Sequence, residues 1–328
     1  MKKLGFLGTG WIGRHRMAAM LDTGLATAVA ICDPSADCLA DAAVLAPNAV
    51  RVRSLKEMLA LDLDGIVIAT PSALHAVQSV QVLEAGVAVF CQKPLGRDLA
   101  ETQGVIDAAR KADRLLGVDL SYRHTDAMRA IAPLVAGGDL GKVFAVDLTF
   151  HNAYGPDKPW FYDPAQSGGG CVVDLGVHLV DLALWALGFP EVTDVSATLL
   201  SAAAPLKIGL VEDYAVASFV AGGVSVRLGC SWRLHAGRDA VIEAAFYGTA
   251  GGAALRNVDG SFYDLNAERF DGTGRTVLSE AGDVWGGRAA VAWVEALERS
   301  NTFDPTAETF AASARVLDAI YAAGLSQG

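Results

Sequence analysis

Charged residues are few in this chain, and those of positive sign are fewer still. Only 19% of its 328 residues are charged, with 26 lysines and arginines against 37 aspartates and glutamates, which leaves a formal net charge of −11. A chain of this charge is not expected to bind nucleic acid or an anionic membrane surface as its main partner. Hydrophobic residues make up 52% of the sequence, so intrinsic disorder, which needs low hydrophobicity and high charge, is excluded for most of it.

Cysteine and long apolar runs are also scarce. The chain has five cysteines, no two of which form a CxxC pair, so neither a disulfide framework nor a zinc or other metal site is expected. The longest stretch of near-membrane length without a charged residue runs from Gly65 to Leu83. It contains Pro71, His75 and two glutamines, which a lipid-spanning helix tolerates poorly. The sequence therefore predicts a soluble, cytoplasmic protein without a membrane partner.

The first part of the chain alternates short apolar runs with helical patterns. We predict strands at Leu4–Leu7, Thr27–Cys32, Gly65–Ala69, Val87–Cys91 and Leu115–Asp119. These runs are almost continuously apolar and rich in valine and isoleucine, which is typical of a parallel sheet buried on both faces. With helical patterns between them, they predict βαβ units and therefore an α/β, doubly wound domain over residues 1–121.

Beyond Tyr122 the pattern changes to long strands, several of which follow one another. We predict strands at Lys142–His151, Val192–Ser201, Tyr214–Ala221, Val224–Leu234 and Val241–Tyr247. Gly222 and Gly223 separate two of them and signal a hairpin. Helical patterns precede, interrupt and follow these strands, one of them near Val172–Leu187. Residues 122–328 are therefore predicted to form an α+β domain with a large, mostly antiparallel sheet.

A glycine-rich turn directly follows the first predicted strand. Residues 8–13 read Gly-Thr-Gly-Trp-Ile-Gly, a GxGxxG motif that also begins the first predicted helix. In this context Gly8 permits the tight turn, Gly10 lets the backbone approach a pyrophosphate, and Gly13 lets helix and strand pack closely. The free N–H groups of the helix N-terminus favour bound phosphates. The dinucleotide contacts predicted in this turn are Gly8, Gly10, Trp11, Ile12 and Gly13.

Asp33 ends the second predicted strand. A carboxylate there can accept hydrogen bonds from the hydroxyls of the adenosine ribose and repels a 2′-phosphate. Pro34 and Ser35 follow, and no arginine stands beside them. NAD is therefore the expected cofactor and NADP the alternative, while a glycine-rich turn closed by a turn-forming aspartate is the purely structural interpretation.

Two polar segments follow later strands of the first domain. Thr70–His75 follows the strand at Gly65–Ala69, and Gln92–Pro94 follows the strand at Val87–Cys91. Sheets of this kind bind ligands at the carboxyl ends of their strands. Lys93 precedes a proline, which favours extended backbone there and makes the Lys93–Pro94 bond a candidate for the cis form. The predicted cofactor contacts are Thr70, Pro71, Ser72, His75, Gln92 and Lys93.

Three glycines introduce a central helix of the second domain. Residues 168–178 read GGGCVVDLGVH, in which Asp174 and His178 are at positions i and i+4 and share one helix face. Asp181 and Trp185 extend that stripe. Carboxylates and an imidazole on an otherwise apolar helix are costly to bury unless they are paired or used in chemistry. We interpret Asp174 and His178 as functional, with a helix-terminal charge and a core histidine as alternatives, and Asp181 and Trp185 as structural.

These motifs, in this order, resemble the Gfo/Idh/MocA family, which includes glucose–fructose oxidoreductase and inositol dehydrogenase. The resemblance covers essentially the full chain, through GTGWIG at 8–13, TPSALH at 70–75, Lys-Pro at 93–94 and GGGCVVDLGVH at 168–178. It implies an N-terminal Rossmann domain and a C-terminal α+β domain whose open sheet serves in self-association to a dimer or tetramer. It also implies NAD(P)-dependent oxidation of a sugar or cyclitol hydroxyl.

The resemblance assigns catalytic roles to Lys93, Asp174 and His178, which are also predicted to contact the substrate. We expect His178 to take the hydroxyl proton and Lys93 to stabilise the developing alkoxide. Asp174 is expected to position a neighbouring hydroxyl or the imidazole. Gln92 departs from the family, which usually has glutamate before Lys-Pro; the exchange keeps the hydrogen-bonding shape and removes a charge beside Lys93.

Further contacts are predicted after the last parallel strand and in the loop at residues 151–163. Arg123 is a candidate for the nicotinamide region or a substrate oxygen, with an interdomain ion pair as the alternative. The loop is rich in aromatic faces and hydrogen-bonding groups, which suit a polyhydroxylated ring, with hydrophobic anchoring as the alternative. The substrate contacts predicted from these two segments are Tyr122, Asn152 and Trp160.

Two other functions share these motifs. An NAD-dependent glycoside hydrolase of the same fold oxidises, eliminates and re-reduces, so it gives no net NADH. A cofactor-binding sensor without turnover is the third hypothesis, but the presence of Lys93, Asp174 and His178 together favours an enzyme.

Overall fold

The computed structural model describes residues 1–325, which pack into two compact units. The first unit comprises residues 1–121 and 286–311, and the second comprises residues 122–285 and 312–325. The sequence pattern predicts one domain from Tyr122 onward, so the structure differs at residues 286–311. The reason is that the helix within this segment buries Ala290, Val294 and Leu297 in a core of the first unit.

Six parallel strands form the sheet of the first unit. They are β1 Lys2–Leu7, β2 Ala26–Cys32, β3 Val50–Arg51, β4 Gly65–Ile68, β5 Ala88–Cys91 and β6 Leu116–Val118. Their spatial order is β3-β2-β1-β4-β5-β6, the doubly wound order of a dinucleotide-binding sheet. The α/β prediction is therefore confirmed. The edge strand β3 has only two residues, both exposed, and its sequence carries no strand pattern.

Helices connect the strands of this sheet. They are α1 Trp11–Asp22, α2 Ala36–Leu45, α3 Leu55–Leu59, α4 Ser72–Glu84 and α5 Leu99–Ala112, and the unit is completed by α9 Arg288–Arg299 and a 3₁₀ turn at Pro305–Thr309. Side chains cap several helices: Ser35, Ser54 and Asp98 accept hydrogen bonds from the first turns of α2, α3 and α5. These caps satisfy N–H groups that have no partner within the helix.

Trp293 of α9 explains two glycines in the sheet. A Cβ atom on Gly65 would lie 2.6 Å from the Trp293 ring, and one on Gly117 would lie 2.4 Å from it. The indole also packs against Phe90, with ring centroids 5.7 Å apart. A bulky ring therefore fills the space that two strand glycines leave open, which fastens α9 to the parallel sheet.

The second unit is built on a nine-stranded sheet. Its strands are β7 Val143–Asn152, β8 Val192–Ser201, β9 Ala204–Pro205, β10 Tyr214–Ala221, β11 Val224–Ser231, β12 Ala240–Gly248, β13 Gly251–Asn257, β14 Leu265–Asp271 and β15 Gly274–Ser279. The order is β15-β14-β13-β12-β7-β11-β10-β8-β9, and all neighbours are antiparallel except β7 and β11. The prediction of a large, mostly antiparallel sheet is confirmed, as is the hairpin at Gly222 and Gly223.

Several helical segments accompany this sheet in the chain. They are a 3₁₀ turn Ser121–His124 at the unit boundary, α6 Asp126–Ala136, a 3₁₀ turn Pro159–Tyr162, α7 Pro164–Ser167, a π-helical turn Val172–Gly176, α8 Val177–Ala186 and α10 Phe310–Leu325. Residues 164–186 are long and apolar enough to cross a membrane by length and composition, but 83% of their most apolar window is buried inside the protein. This is the behaviour of a core helix.

The strands after Tyr247 carry little sequence signal. The run Gly251–Asn257 begins with two glycines and has no β-branched residue, and Gly274–Ser279 is mostly exposed at the sheet edge. Pairing with already formed neighbours makes them strands, since strand preference depends strongly on context.

We predict that Trp293→Ala lowers the free energy of unfolding by about 3–5 kcal/mol, because it removes a buried indole and leaves a cavity beside two glycines. Urea unfolding followed by circular dichroism measures this loss. Glu295→Ala, an exposed position in the same helix, is the control and should change stability by less than about 0.5 kcal/mol. Equal effects of the two substitutions would contradict the packing role of Trp293.

Candidate active site

The glycine turn after β1 is shaped by backbone contacts that exclude side chains. Gly8 has a φ of +89°, and a Cβ atom there would lie 2.4 Å from the carbonyl oxygen of Ala69. A Cβ atom on Gly13 would lie 2.2 Å from the carbonyl oxygen of Gly8. A Cβ atom on Gly10, by contrast, would meet no non-neighbouring atom within 4 Å. The turn is therefore closed toward the sheet and open over Gly10, where α1 begins without a side-chain cap.

Asp33 joins this turn to the end of β2. One carboxylate oxygen accepts a hydrogen bond from the Thr9 N–H (2.6 Å), and the other accepts one from the Ser35 N–H (2.9 Å). Each carboxylate oxygen has further acceptor capacity. Trp11, at the N-terminus of α1, is 60% exposed. Asp33 and Trp11 thus lie at the open turn, where the sequence predicts cofactor contacts.

His75 links the two polar segments that follow β4 and β5. Its ring is buried; Nδ1 lies 2.7 Å from the Pro94 carbonyl oxygen and Nε2 lies 2.7 Å from the Thr70 carbonyl oxygen. Burial lowers the pKa of the imidazole. Since both ring nitrogens face carbonyl groups of the protein, the geometry gives His75 a structural role in holding the segments together, which the sequence analysis did not foresee.

The segment after β5 carries the lysine of the motif. The Lys93–Pro94 peptide bond is cis, as its sequence allowed. Gln92 is buried and donates a hydrogen bond to Asp119 (2.6 Å), whereas Lys93 is half-buried. The two neighbours therefore differ in environment, with the amide packed inside the first unit.

Asp174 and His178 lie on the helix that crosses the core of the second unit. They are half-buried, whereas the residues between them are buried. Asp174 lies in the π-helical turn Val172–Gly176, and His178 lies in the first turn of α8. The sequence predicts a plain helix here, because periodicity does not reveal a π turn. Turns of this kind recur at functional sites.

Two aromatic residues contact this pair of polar side chains. The indole N–H of Trp232 donates a hydrogen bond to the Asp174 carboxylate (3.1 Å). The ring of Tyr122 lies 4.8 Å from the His178 ring, between centroids. Trp232 was missed by sequence reasoning, which placed it inside the predicted strand Val224–Leu234, whereas the structure ends this strand at Ser231. Burial raises the pKa of the Tyr122 hydroxyl well above its ordinary value, because desolvation penalises the charged form.

Arg123 forms an ion pair with Asp181. Its guanidinium donates two hydrogen bonds to the Asp181 carboxylate, one of them at 2.6 Å, and Ser313 donates to the same carboxylate at 3.2 Å. The guanidinium carbon also lies 5.3 Å from the centre of the Phe189 ring. This ion pair lies within the second unit, so it differs from the interdomain pair that the sequence analysis gave as the alternative. Asp181 is structural, as interpreted.

The glycine triplet is held by a buried carboxylate. The Glu212 carboxylate accepts hydrogen bonds from the N–H groups of Gly170 (3.0 Å) and Val172 (2.9 Å) and from the hydroxyl of Tyr321 (2.8 Å). A Cβ atom on Gly170 would lie 1.9 Å from the Glu212 carbonyl oxygen, and one on Gly169 would lie 2.0 Å from the Tyr321 hydroxyl. Glu212, which sequence reasoning missed, therefore anchors the chain just before Asp174.

The loop at residues 151–163 forms an aromatic cluster with Trp232. The Trp160 and Phe161 rings stack with centroids 3.8 Å apart, and Trp232 lies 5.7 Å from Tyr162 and 6.4 Å from Phe161. Asn152 has a buried side-chain oxygen without a hydrogen-bond partner among residues 1–325. The neighbouring His151 does have a partner, since its Nδ1 lies 2.8 Å from the Ser231 hydroxyl. Trp232, which hydrogen-bonds Asp174, thus connects this aromatic cluster to Asp174.

Within the described part of the chain, no group of three or more histidine, cysteine, aspartate or glutamate side chains could hold a metal ion. The five cysteines are free thiols. Cys171 and Cys230 lie side by side in the core, and burial raises the pKa of Cys171 well above its ordinary value. Inert packing is the expected behaviour of such thiols.

The doubly wound sheet, the glycine turn and the carboxylate at the end of β2 together define a dinucleotide-binding protein. Two family models match the chain: "Oxidoreductase family, NAD-binding Rossmann fold" over residues 2–120 and "GFO/IDH/MocA C-terminal domain" over residues 128–254. The chain therefore belongs to the Gfo/Idh/MocA family of NAD-binding oxidoreductases, which confirms the resemblance seen in its motifs.

Individual relatives agree with this assignment. The chain is 29% identical over 266 residues to 1,5-anhydro-D-fructose reductase of Ensifer adhaerens, covering 79% of this chain and 77% of the relative. It is 28% identical over 261 residues to inositol 2-dehydrogenase of Rhizobium meliloti strain 1021, covering 78% and 76%. The fold matches levoglucosan dehydrogenase in complex with NADH and levoglucosan, with a TM-score of 0.84, 20% identity and coverage of 100% and 98%.

The buried carboxylate of Glu212 predicts a dependence of stability on pH. Burial, which outweighs its hydrogen bonds, raises the pKa of Glu212. The folded state then holds this proton more tightly than the unfolded state, so its contribution to stability is lost as pH rises from about 4.3, the ordinary glutamate pKa, through the raised value.

Glu212→Gln removes this titration. We expect the melting temperature of the wild type, measured relative to this variant, to fall as the pH rises above about 4.3, the ordinary glutamate pKa. Glu298→Gln, at an exposed position, is the control, with a pH-independent difference. A difference between the wild type and Glu212→Gln that stays constant over this range would show that Glu212 titrates normally.

Proposed function

We propose that the protein transfers a hydride between NAD and a hydroxyl-bearing carbon of a sugar or cyclitol. The observation that carries this proposal is the pair Asp174 and His178: two polar side chains, half-buried in an apolar helix, with Trp232 donating to one and Tyr122 packed on the other. Polar groups are retained in such surroundings when they are paired or used. Relatives named for inositol and for 1,5-anhydro-D-fructose support this substrate class.

The glycine turn fits NAD. Open space over Gly10 and an uncapped helix N-terminus suit the pyrophosphate, and Asp33 has acceptor capacity for ribose hydroxyls. Trp11 and Ile12 continue this turn, with Thr70, Pro71 and Ser72 as further proposed contacts. When bound, the nicotinamide accepts the hydride in oxidation and returns it in reduction.

Three side chains are proposed to act on the substrate. His178 takes the hydroxyl proton as the carbon–hydrogen bond breaks, because a neutral imidazole is a suitable base near neutral pH. Lys93 donates a hydrogen bond to the same oxygen and stabilises its developing negative charge. Asp174, held by the indole N–H of Trp232, orients a neighbouring hydroxyl of the polyol.

The remaining proposed substrate contacts come from the aromatic side of the second unit. Trp160 offers a ring face to the apolar face of a sugar, and the buried oxygen of Asn152 offers an acceptor to a hydroxyl. Tyr122 keeps the His178 ring in place through ring packing. From these groups we infer a class of substrate, the sugars and cyclitols.

The function is tested by a panel of aldoses, inositols and their lactones with NAD or NADH, followed through NADH absorbance. At least one polyol should give net NADH, and Lys93→Met should lower that turnover by about 10²-fold or more while NAD affinity stays within a few-fold. Lys111→Met, at an exposed position of α5, is the control with unchanged rate. A Lys93→Met variant as fast as the wild type would remove Lys93 from the mechanism.

The same panel includes nitrophenyl glycosides. Release of nitrophenol without net NADH would indicate the glycoside hydrolase in place of the dehydrogenase. Cofactor binding without any turnover would indicate the sensor.

Asp33 is proposed to select NAD over NADP. Asp33→Asn keeps an acceptor for the Thr9 N–H and removes the charge that repels a 2′-phosphate. The ratio of kcat/KM for NADP to that for NAD should rise by about tenfold, which corresponds to about 1.4 kcal/mol. Asp37→Asn, an exposed position in α2, serves as the control. An unchanged ratio for Asp33→Asn would mean that Asp33 only closes the turn.

We also propose self-association to a dimer or tetramer, with the solvent-facing side of the nine-stranded sheet as the contact. That side carries exposed apolar residues, among them Val216 and Val277, 44% and 50% exposed. The free thiols and the small polyhydroxylated substrate suit the cytoplasm, where we place the enzyme.

A further inference from the structure

A buried polar cluster joins three segments of the first unit. Asp119, directly after β6, accepts hydrogen bonds from the Arg16 guanidinium of α1 (2.5 Å) and from the Gln92 amide at the end of β5 (2.6 Å). Ser121 donates to the other oxygen of Asp119 and accepts from Arg16 at 3.1 Å. Each of these four side chains is less than 10% exposed. One carboxylate thus fastens α1 and the β5 end together.

The donor and acceptor roles in this cluster are fixed by chemistry. An ionised carboxylate only accepts hydrogen bonds, so the partner at position 92 must bring an N–H group, as the Gln92 amide does. A carboxylate at position 92 would place a second negative charge in hydrogen-bond contact with Asp119. The charges of Asp119 and Arg16 already balance, so an added charge would be buried without a partner.

This cluster lies between two functional segments. Gln92 immediately precedes Lys93, and Arg16 belongs to the helix that begins at the glycine turn. Both segments are therefore hydrogen-bonded to the same buried carboxylate, that of Asp119. The backbone N–H of Asp119 also donates a hydrogen bond to the Cys91 carbonyl oxygen (2.9 Å). Anchors of this kind hold a reactive group to within a fraction of an ångström.

We propose that Asp119 is a positioning residue that aligns Lys93 with the cofactor turn through Gln92 and Arg16. The catalytic consequence rests on the proposed function of Lys93, whereas the alignment itself does not. Loss of the carboxylate releases the Lys93 segment, so turnover falls while the glycine turn and its own contacts remain. Transfer of the charge from position 119 to position 92 restores the link with the donor and acceptor exchanged.

The test compares Asp119→Asn, Gln92→Glu and the double variant that carries both substitutions. The rate at which an amine-reactive reagent labels Lys93, measured by mass spectrometry, reports its alignment without any need for activity. We expect each single substitution to raise this rate by threefold or more and the double variant to return it to near the wild-type value. Lys56, an exposed lysine, provides the internal reference, and Asp107→Asn, at an exposed position, is the matched control.

Turnover measurements complete the experiment. With an active polyol, Asp119→Asn should lower kcat by about tenfold or more at saturating NAD, since displacement of a catalytic group by about 1 Å can cost 10²-fold, and the double variant should recover most of it. Labelling of Lys93 unchanged in both single variants, or a double variant no better than either of them, would overturn the proposal. Altered and rescued labelling in a protein that turns over no polyol would instead uphold the alignment and overturn the function proposed for Lys93.

Discussion

A carboxylate inside a protein has to be surrounded by donors, and this constraint organises the functional segments of both units. In the first unit, Asp119 accepts a hydrogen bond from the side-chain amide of Gln92, the residue that precedes Lys93. In the second unit, Glu212 accepts hydrogen bonds from the Gly170 N–H and the Tyr321 hydroxyl. Gly170 lies just before the helical segment that carries Asp174 and His178. An unpaired buried carboxylate costs several kcal/mol, so the backbone around each one has little freedom to move.

Glycine makes the same two regions possible through close backbone contact. Gly8 and Gly13 bring α1 against the end of the sheet, at distances that no side chain tolerates. Gly169 and Gly170 leave room for Tyr321 and for the Glu212 backbone. The motifs read from the sequence are thus geometric requirements, because backbone that must lie this close cannot carry a Cβ atom.

The two units bring different chemistry to the proposed reaction. The first provides an open, uncapped helix terminus for an anionic cofactor, with Asp33 at its side. The second provides Asp174 and His178 in half-buried positions, where a carboxylate and an imidazole can be desolvated in part and still reach a ligand. Membership of the Gfo/Idh/MocA family agrees with this division, since its members are oxidoreductases with an NAD-binding Rossmann domain.

Local patterns determined much of this protein. The buried strands, the glycine turn and the spacing of Asp174 and His178 depend on neighbours a few positions away, and periodicity records them. Only the tertiary structure decided which side chains hold these groups: Trp232 lies 58 positions from Asp174, and Arg123 lies 58 positions from Asp181. The return of residues 286–311 to the first unit is of the same kind. Contacts over such separations are set by packing of the whole fold, and a single sequence carries no periodic record of them.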